Sequence, residues 1–439
     1  MMQDGTATPL NRSVILLVVV AALGYFVDLY DLVLFGVVRI PSLKSIGVSG
    51  DALTSVGLQL LNWQMAGMLV GGFAWGILGD KRGRLSVLYG SILTYSLANL
   101  ANAFIHDVNS YALLRFIAGF GLAGELGAGI TIVTESLPPR TRGWGTTVIA
   151  TFGVLGGATA AAVTEYVGPA AHRIAGALDA LLGTSLSASS VVADPWRAAY
   201  VLGGLLGLVL LAVRFSLAES EIFKRMHETT LSRGSLTLLL GNRDRINRLF
   251  AAVAIGLPTW FVVGILVTFC PEFGKHAGMT ELPVPGKAIF WFYVGLTVGD
   301  LASGVLSQLT KTRVVIIGVF IVATAALIGT YFGAAPMPLS RFYLLIFSLG
   351  VSCGYWALFV TSAAENFGTN LRATVTTAIP NLVRAAVIPI TFAFKSLRDA
   401  GVEMDDAALA VGAVTCLLAV GGLLALRETF GKPLDFIEE

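Results

Sequence analysis

The side chains with most chemistry to offer in this 439-residue sequence are Asp28, Asp31, Arg115, Glu125, Asp300 and Arg384, each set within a long apolar run. An ionised group at the centre of a bilayer costs about 2.5–3.5 kcal/mol on insertion scales, so each of these needs a partner or wet surroundings. Asp28 and Asp31 are three residues apart and share a helix face with Gly24 and Phe35. Two carboxylates that close and partly dehydrated do not both stay ionised, which makes one of them a candidate proton carrier. Arg115 sits at a depth that permits a pair with Asp31. Glu125 follows it by ten residues, roughly 15 Å along a helix, on a glycine-rich flank. It could be a second proton site, a substrate contact or a protonated packing residue. Arg384 stands between Pro380 and Pro389, where an interrupted helix exposes backbone. Its guanidinium suits a carboxylate or phosphate held bidentately, although a pair with Asp300 would also satisfy it. Tyr30, Gln64, Trp260, Trp291, Trp356 and Asn381 are weaker candidates for contact with a bound molecule, ordinary packing or interface anchoring being the alternative. His106 and His276 fall at outer helix ends and read as solvated.

The elements that hold these groups are dictated by composition. Only 13% of the residues are charged, against about a quarter in soluble globular proteins. With 55% hydrophobic residues and a mean hydropathy of +0.79, there is more apolar side chain than a soluble fold could hide, so the bilayer is the solvent. The 50 glycines fit close-packed membrane helices. A net charge of +2 gives no reason to expect a nucleic-acid partner. Cys270, Cys353 and Cys416 lie in apolar runs, so neither a disulfide nor a metal site is expected.

Apolar stretches of about 20 residues predict twelve spanning helices: 14–38, 54–78, 85–105, 111–134, 145–167, 197–217, 247–270, 287–309, 314–333, 340–363, 374–397 and 406–426. The first has no small-residue cleavage site and reads as a retained helix rather than a signal peptide. With the N-terminus inside, eighteen of the 29 lysines and arginines are cytoplasmic and nine external, Arg115 and Arg384 being intramembrane. That bias puts both termini in the cytoplasm. The polar segment from Ala218 to Asn247 divides the helices six and six, giving bundles at 1–217 and 247–439 joined by a linker at 218–246. A second connection, 168–196, faces outside and could hold a short amphipathic helix around Ile174–Leu182.

An internal repeat supports the division. Glu135 precedes Arg142 at the end of the fourth stretch, and 230 residues later Glu365 precedes Arg372 at the end of the tenth. The segment Gly79-Asp80-Lys81-Arg82-Gly83-Arg84 has a worn echo ending in Lys311-Thr312-Arg313. Shifted by the same interval, Asp31, Arg115 and Arg384 correspond to Phe261, Leu345 and Val154, so the repeated scaffold alone does not require these charges. Matching halves suggest two rocking bundles.

These motifs, with Arg115-Phe-Ile-Ala-Gly119-Phe-Gly121-Leu-Ala-Gly124-Glu125 and the tail Arg427-Glu428-Thr429-Phe430-Gly431-Lys432, resemble the major facilitator superfamily over nearly the whole chain. Asp28-Leu-Tyr30-Asp31-Leu is similar to its phosphate:proton symporters and, more loosely, to its sugar porters. The glycines leading to Glu125 look more like its organic-acid symporters. The fifth stretch, with Gly153, Gly156 and Gly157, lacks the Gly-Pro pair of the drug antiporters.

The resemblance implies an all-α integral membrane protein of twelve helices in two six-helix bundles, working by alternating access as a monomer in the cell (inner) membrane without cofactors. In sugar porters an aspartate on helix 1 and an arginine on helix 4 form a protonation-controlled pair. The resemblance carries those roles to Asp31 and Arg115, so that protonating Asp31 would release Arg115 and shift the halves between outward-open and inward-open states. A permanent ion pair is the alternative. It also implies that Gly79, Asp80, Arg84, Glu135, Arg142, Glu365 and Arg372 bridge the loops when the inside is closed. Arginine on the eleventh helix is shared with organic-anion transporters of the superfamily. The expected function is therefore proton-coupled symport of a small anion, an organic acid before phosphate. An uncoupled facilitator or exporter of neutral or cationic metabolites is the runner-up, followed by a transporter-like sensor. No Gly-x-Ser-x-Gly elbow, His-Glu-x-x-His helix or phosphate-binding lysine loop points to an enzyme.

Overall fold

A computed structural model describes residues 12–82, 84–125, 148–165, 194–218, 239–333, 336–431 and 437–438, with the single residues 145 and 173. Among these, every regular element is a helix, as expected where lipid offers no partner for backbone polar groups. In the first half they are α1 (Arg12–Ser45), α2 (Ala52–Arg82), α3 (Arg84–Asn102), α4 (Val108–Leu122), α5 (Val148–Glu165) and α6 (Pro195–Ala218). In the second they are α7 (Arg243–Phe261), α8 (Cys270–His276), α9 (Pro285–Thr310), α10 (Val314–Gly333), α11 (Leu339–Cys353), α12 (Trp356–Glu365), α13 (Thr369–Ala385), α14 (Val387–Asp399) and α15 (Met404–Ala425). The outer connection, including Ile174–Leu182, lies almost wholly outside the described residues, as do most of the linker, Glu135, Arg142, and the side chains of Asp80, Arg84 and Arg372, with Gly79 beside them.

Three apolar stretches are broken helices, each for a local reason. In the seventh, a π segment, Val262–Val267, separates α7 from α8. Pro271 has no N–H for the Val267 carbonyl, and Thr268 Oγ1 turns back to the Val263 carbonyl at 2.6 Å. In the tenth, α11 and α12 are parted at Gly354, where an added Cβ would overlap the backbone of Gly299. In the eleventh, Pro389 frees the Ala385 carbonyl and the helix breaks at Ala386.

The two halves repeat one packing device. α2 meets α4 through Gly67, Gly71 and Gly119, where a Cβ would collide with backbone of Phe116, Phe120 and Gln64. α9 meets α11 in the same way through Gly295, Gly299 and Gly350 against Phe347, Val351 and Phe292. Close backbone approach gives dispersion contact where lipid removes the hydrophobic drive between helices.

At the cytoplasmic end, the tail closes on the second half. Glu428 accepts from Thr312 Oγ1 at 2.6 Å and from the backbone N–H groups of Arg313 and Val314, capping α10. These donors hold its carboxyl down at about 2, well below the ordinary range. Glu365 is bound within the same half, accepting from Arg313 Nη2 at 2.8 Å and Thr429 Oγ1 at 2.7 Å.

Candidate functional site

The polar face of α1 runs through the centre of the molecule, and its members meet α6 of the same half and α13 of the other. Gly24 comes first: a Cβ there would fall on Arg214 of α6 and Glu125 beyond α4. Those two form a bidentate ion pair, Arg214 Nη1 donating to Glu125 Oε2 at 3.0 Å and Nη2 donating to Oε1. One turn on, Asp28 Oδ2 accepts from Arg384 Nη2 of α13 at 3.5 Å. This ion pair joins the two halves, and both residues are buried. Its geometry leaves capacity unused, since Asp28 Oδ1 and Arg384 Nε and Nη1 have no hydrogen-bond partner among the described residues.

Asp31 points to α6, where a Cβ on Gly203 would meet Oδ1. Neither carboxylate oxygen is hydrogen-bonded among the described residues. Arg115 does not close an ion pair with it. The guanidinium donates instead to Asn99 Oδ1 of α3 at 2.9 Å and lies 5.1 Å over the ring of Tyr200. It remains within electrostatic reach of Asp31. Asp31 and Arg115 thus share one buried cluster without touching.

The other sequence candidates divide. Asp300 does not pair with Arg384; its Oδ1 accepts the Ala357 N–H at 3.2 Å and caps the start of α12, just after the break at Gly354. Trp260 lies beside the central guanidinium, 6.0 Å from Arg384 Cζ to its ring centroid, and packs edge-on against Trp356 at 6.4 Å. Asn381 spans the halves by donating to the Ala123 carbonyl at 2.9 Å. Tyr30 donates to the Ala199 carbonyl and Gln64 to the Leu32 carbonyl, both within the first half. Trp291 is 42% exposed and faces away from the centre. His276 is not simply solvated: it bridges Glu403 at 3.0 Å and Asp405 at 3.3 Å, and the Glu403 hydrogen bond, followed by Asp405, raises its pKa.

Two arginines counted as topology signals turn out to be structural partners. Arg214, near the end of the sixth apolar stretch, is buried against Glu125. Its sequence signal was the apolar run from Leu205 to Phe215 that surrounds it. Arg39, one residue past the first apolar stretch, is fully buried because α1 continues to Ser45. It donates to the Thr268 carbonyl at 3.2 Å and to Glu272 Oε2 at 3.0 Å, and stacks 4.2 Å over Phe269. Gly57 of α2 leaves room for its stem, with an added Cβ only 2.8 Å from Cδ. Arg39 therefore ties α1 and α2 to α8 and the turn before it at the outer side.

Two helical bundles closing on buried intramembrane charges make the architecture of a secondary transporter. The model of the Major Facilitator Superfamily matches residues 21–390, and the chain belongs to that superfamily. The gentisate transporter of Corynebacterium glutamicum is 24% identical over 417 residues, covering 92% of this chain and 86% of that protein. The niacin transporter NiaP of Acinetobacter baylyi is 38% identical over 103 residues, 24% of each chain. Among solved structures, the proton:xylose symporter XylE bound to 6-bromo-6-deoxy-D-glucose superimposes with a TM-score of 0.69 at 16% identity, covering 96% of this chain and 97% of that one. The chain is thus a multi-pass membrane transporter of metabolites and not an enzyme.

Proposed function

We propose that the chain is a proton-coupled symporter of a small organic anion, with Arg384 as the anion site and Asp28 as the group that links proton to substrate. The observation carrying this reading is the Asp28–Arg384 pair between the halves, with two guanidinium nitrogens unused. While Asp28 is ionised it is the counter-ion of Arg384. Once protonated it no longer competes, and a substrate carboxylate becomes the better partner. Proton and anion then favour each other's binding, which is the thermodynamic condition for symport. Trp260 and Trp356 offer aromatic surface beside the guanidinium. Relatives named for gentisate and niacin, both carboxylates on one aromatic ring, favour an organic acid over phosphate. Asp31 and Arg115 serve as a second protonation site in the first half, and the Arg39 tie as the outer closure.

The test is lumenal pH in proteoliposomes given carboxylates, phosphate, sugars and amines outside. An aromatic carboxylate should acidify the lumen through the wild type, and Asp28→Asn should bind and exchange that substrate without acidification. Substrate uptake with no proton movement, or normal coupling in Asp28→Asn, would overturn the reading in favour of an uncoupled facilitator.

A further inference from the structure

Asp31 lies in the most polar part of the first half, and its surroundings lead outward rather than to the substrate site. It is faced by Arg115 of α4, by Asn99 of α3 and by Tyr200 of α6, with Asp28 one turn back on its own helix. All of these side chains are buried. Both Asp31 oxygens, Arg115 Nε and Nη1, Tyr95 Oη and Ser96 Oγ have no hydrogen-bond partner among the described residues. Buried polar groups are left unpaired only rarely, and internal water is the usual partner where several converge. Outward from this cluster three hydroxyls are contiguous, those of Tyr200, Tyr111 and Ser42, the last of which also donates to the Arg39 carbonyl at 3.1 Å. Tyr200 and Tyr111 meet oxygen to oxygen at 2.8 Å, and Tyr111 Oη donates to Ser42 Oγ at 3.2 Å. Ser42 is one turn below Ser45, an exposed residue at the outer end of α1 whose hydroxyl donates to the Ser42 carbonyl at 2.9 Å.

We propose that the interior of the first bundle is a hydrated proton path, in which Ser42, Tyr111 and Tyr200 connect the outer face to Asp31 without passing the substrate site at Arg384. Each hydroxyl donates one proton and accepts another, and rotates about its C–O bond to reverse direction. A proton reaching Ser42 Oγ displaces the hydroxyl proton to Tyr111, Tyr111 passes its own to Tyr200, and Tyr200 passes its own through water to Asp31, which hands it on to the coupling carboxylate Asp28 one turn back on α1. Each hydroxyl ends with one proton and the Asp28 carboxylate ends as a carboxylic acid. The route lets proton loading continue while the outer side is tied shut at Arg39.

The proposal rests on the coupled reading above, so the wild type must first acidify the lumen with substrate; failure there, seen before any tyrosine is changed, removes the coupling reading and the path with it. Given coupling, Tyr200→Phe and Tyr111→Phe keep the rings that pack on Trp196 and Phe35 and remove only the hydroxyls. Proton-driven uptake after an external acid jump should slow by about tenfold or more, whereas substrate exchange across the membrane, which needs no net proton movement, should stay near the wild-type rate. Ser42→Ala should show the same split if either tyrosine variant is not recovered from the membrane. Equal loss of uptake and exchange would make the hydroxyls structural, and undiminished uptake would place the proton route elsewhere; either result overturns the path.

Discussion

The interiors of the two bundles solve the same problem of burying polar atoms in lipid, and solve it differently. In both halves many buried hydroxyls are returned to the chain, as Tyr355 is to the Ile255 carbonyl, Tyr331 to the Leu266 carbonyl and Tyr30 to the Ala199 carbonyl, and in both a few find no partner among the described residues; the difference lies in the charged groups. The second half's buried carboxylate, Asp300, caps a helix, and its central cation, Arg384, looks for its counter-ion in the other half. The first half instead keeps one closed ion pair, Glu125–Arg214, and one open cluster around Asp31 and Arg115. A closed set has one stable arrangement. An open set has several, separated by a proton or a water, and a transporter needs such an element to bias.

The largest effect expected from breaking this contrast is at the interface between halves. Arg384→Ala leaves Asp28 as an uncompensated buried charge and removes the anion site. Loss of one partner of a buried pair costs roughly 3–5 kcal/mol, so uptake should fall by about a hundredfold or more in proteoliposomes. The closed pair comes next. Arg214→Met should lower the melting temperature in detergent markedly, while Glu125→Leu with Arg214→Met restores most of the loss, because an apolar pair removes the stranded carboxylate. If that pair is only scaffold, the double variant keeps coupled uptake, and a loss of coupling would move Glu125 into the open set.

The outer tie should give a smaller shift. Arg39→Gln removes the charge-assisted bonds to Glu272, worth about 1.5–3 kcal/mol for hydrogen bonds to charged groups. Labelling of Asn62→Cys, placed where α2 meets Thr391 of α14, by an impermeant maleimide should rise severalfold as the outward-open population grows. The smallest effect is at His276. Its pKa is raised in the folded protein by Glu403 and Asp405, so its contribution is full below the unfolded value of 6.5 and fades as pH rises through the raised value. His276→Gln should cost about 1 °C of melting temperature near pH 5.5 and nothing near pH 9.

Much of the fold was legible because twenty apolar residues have few other uses: α10 at Val314–Gly333 coincides with its stretch, although α1 runs to Ser45, beyond the end of its own at 38. The breaks were harder. Pro271 and Pro389 are visible in the sequence, yet the seam at Gly354 depends on Gly299, which only the packed structure brings beside it. At the site, the carboxylates of α1 and the guanidinium of α13 were identifiable as lone charges in apolar surroundings. Their partners were not, since pairing depends on which helices adjoin. Asp31 with Arg115 and Arg384 with Asp300 were reasonable by depth, whereas the contacts made are Arg115 with Asn99 and Arg384 with Asp28. Arg39 and Arg214 were concealed for another reason: near a helix end, an arginine turned inward carries the same sequence signature as one turned to water.

The glycine seams between α2 and α4 and between α9 and α11 also bear on how the chain is made. Helices enter the bilayer in order and pack afterwards, and each seam joins elements separated by another helix. A nascent chain therefore cannot close its first seam until α3 has been inserted and α4 has followed, so α2 waits in lipid with Gly67 and Gly71 uncovered. An alanine at either position would force the Phe116 or Phe120 backbone away, and its defect should show during biogenesis, as quality-control loss of newly made chains, before any deficit in the mature protein.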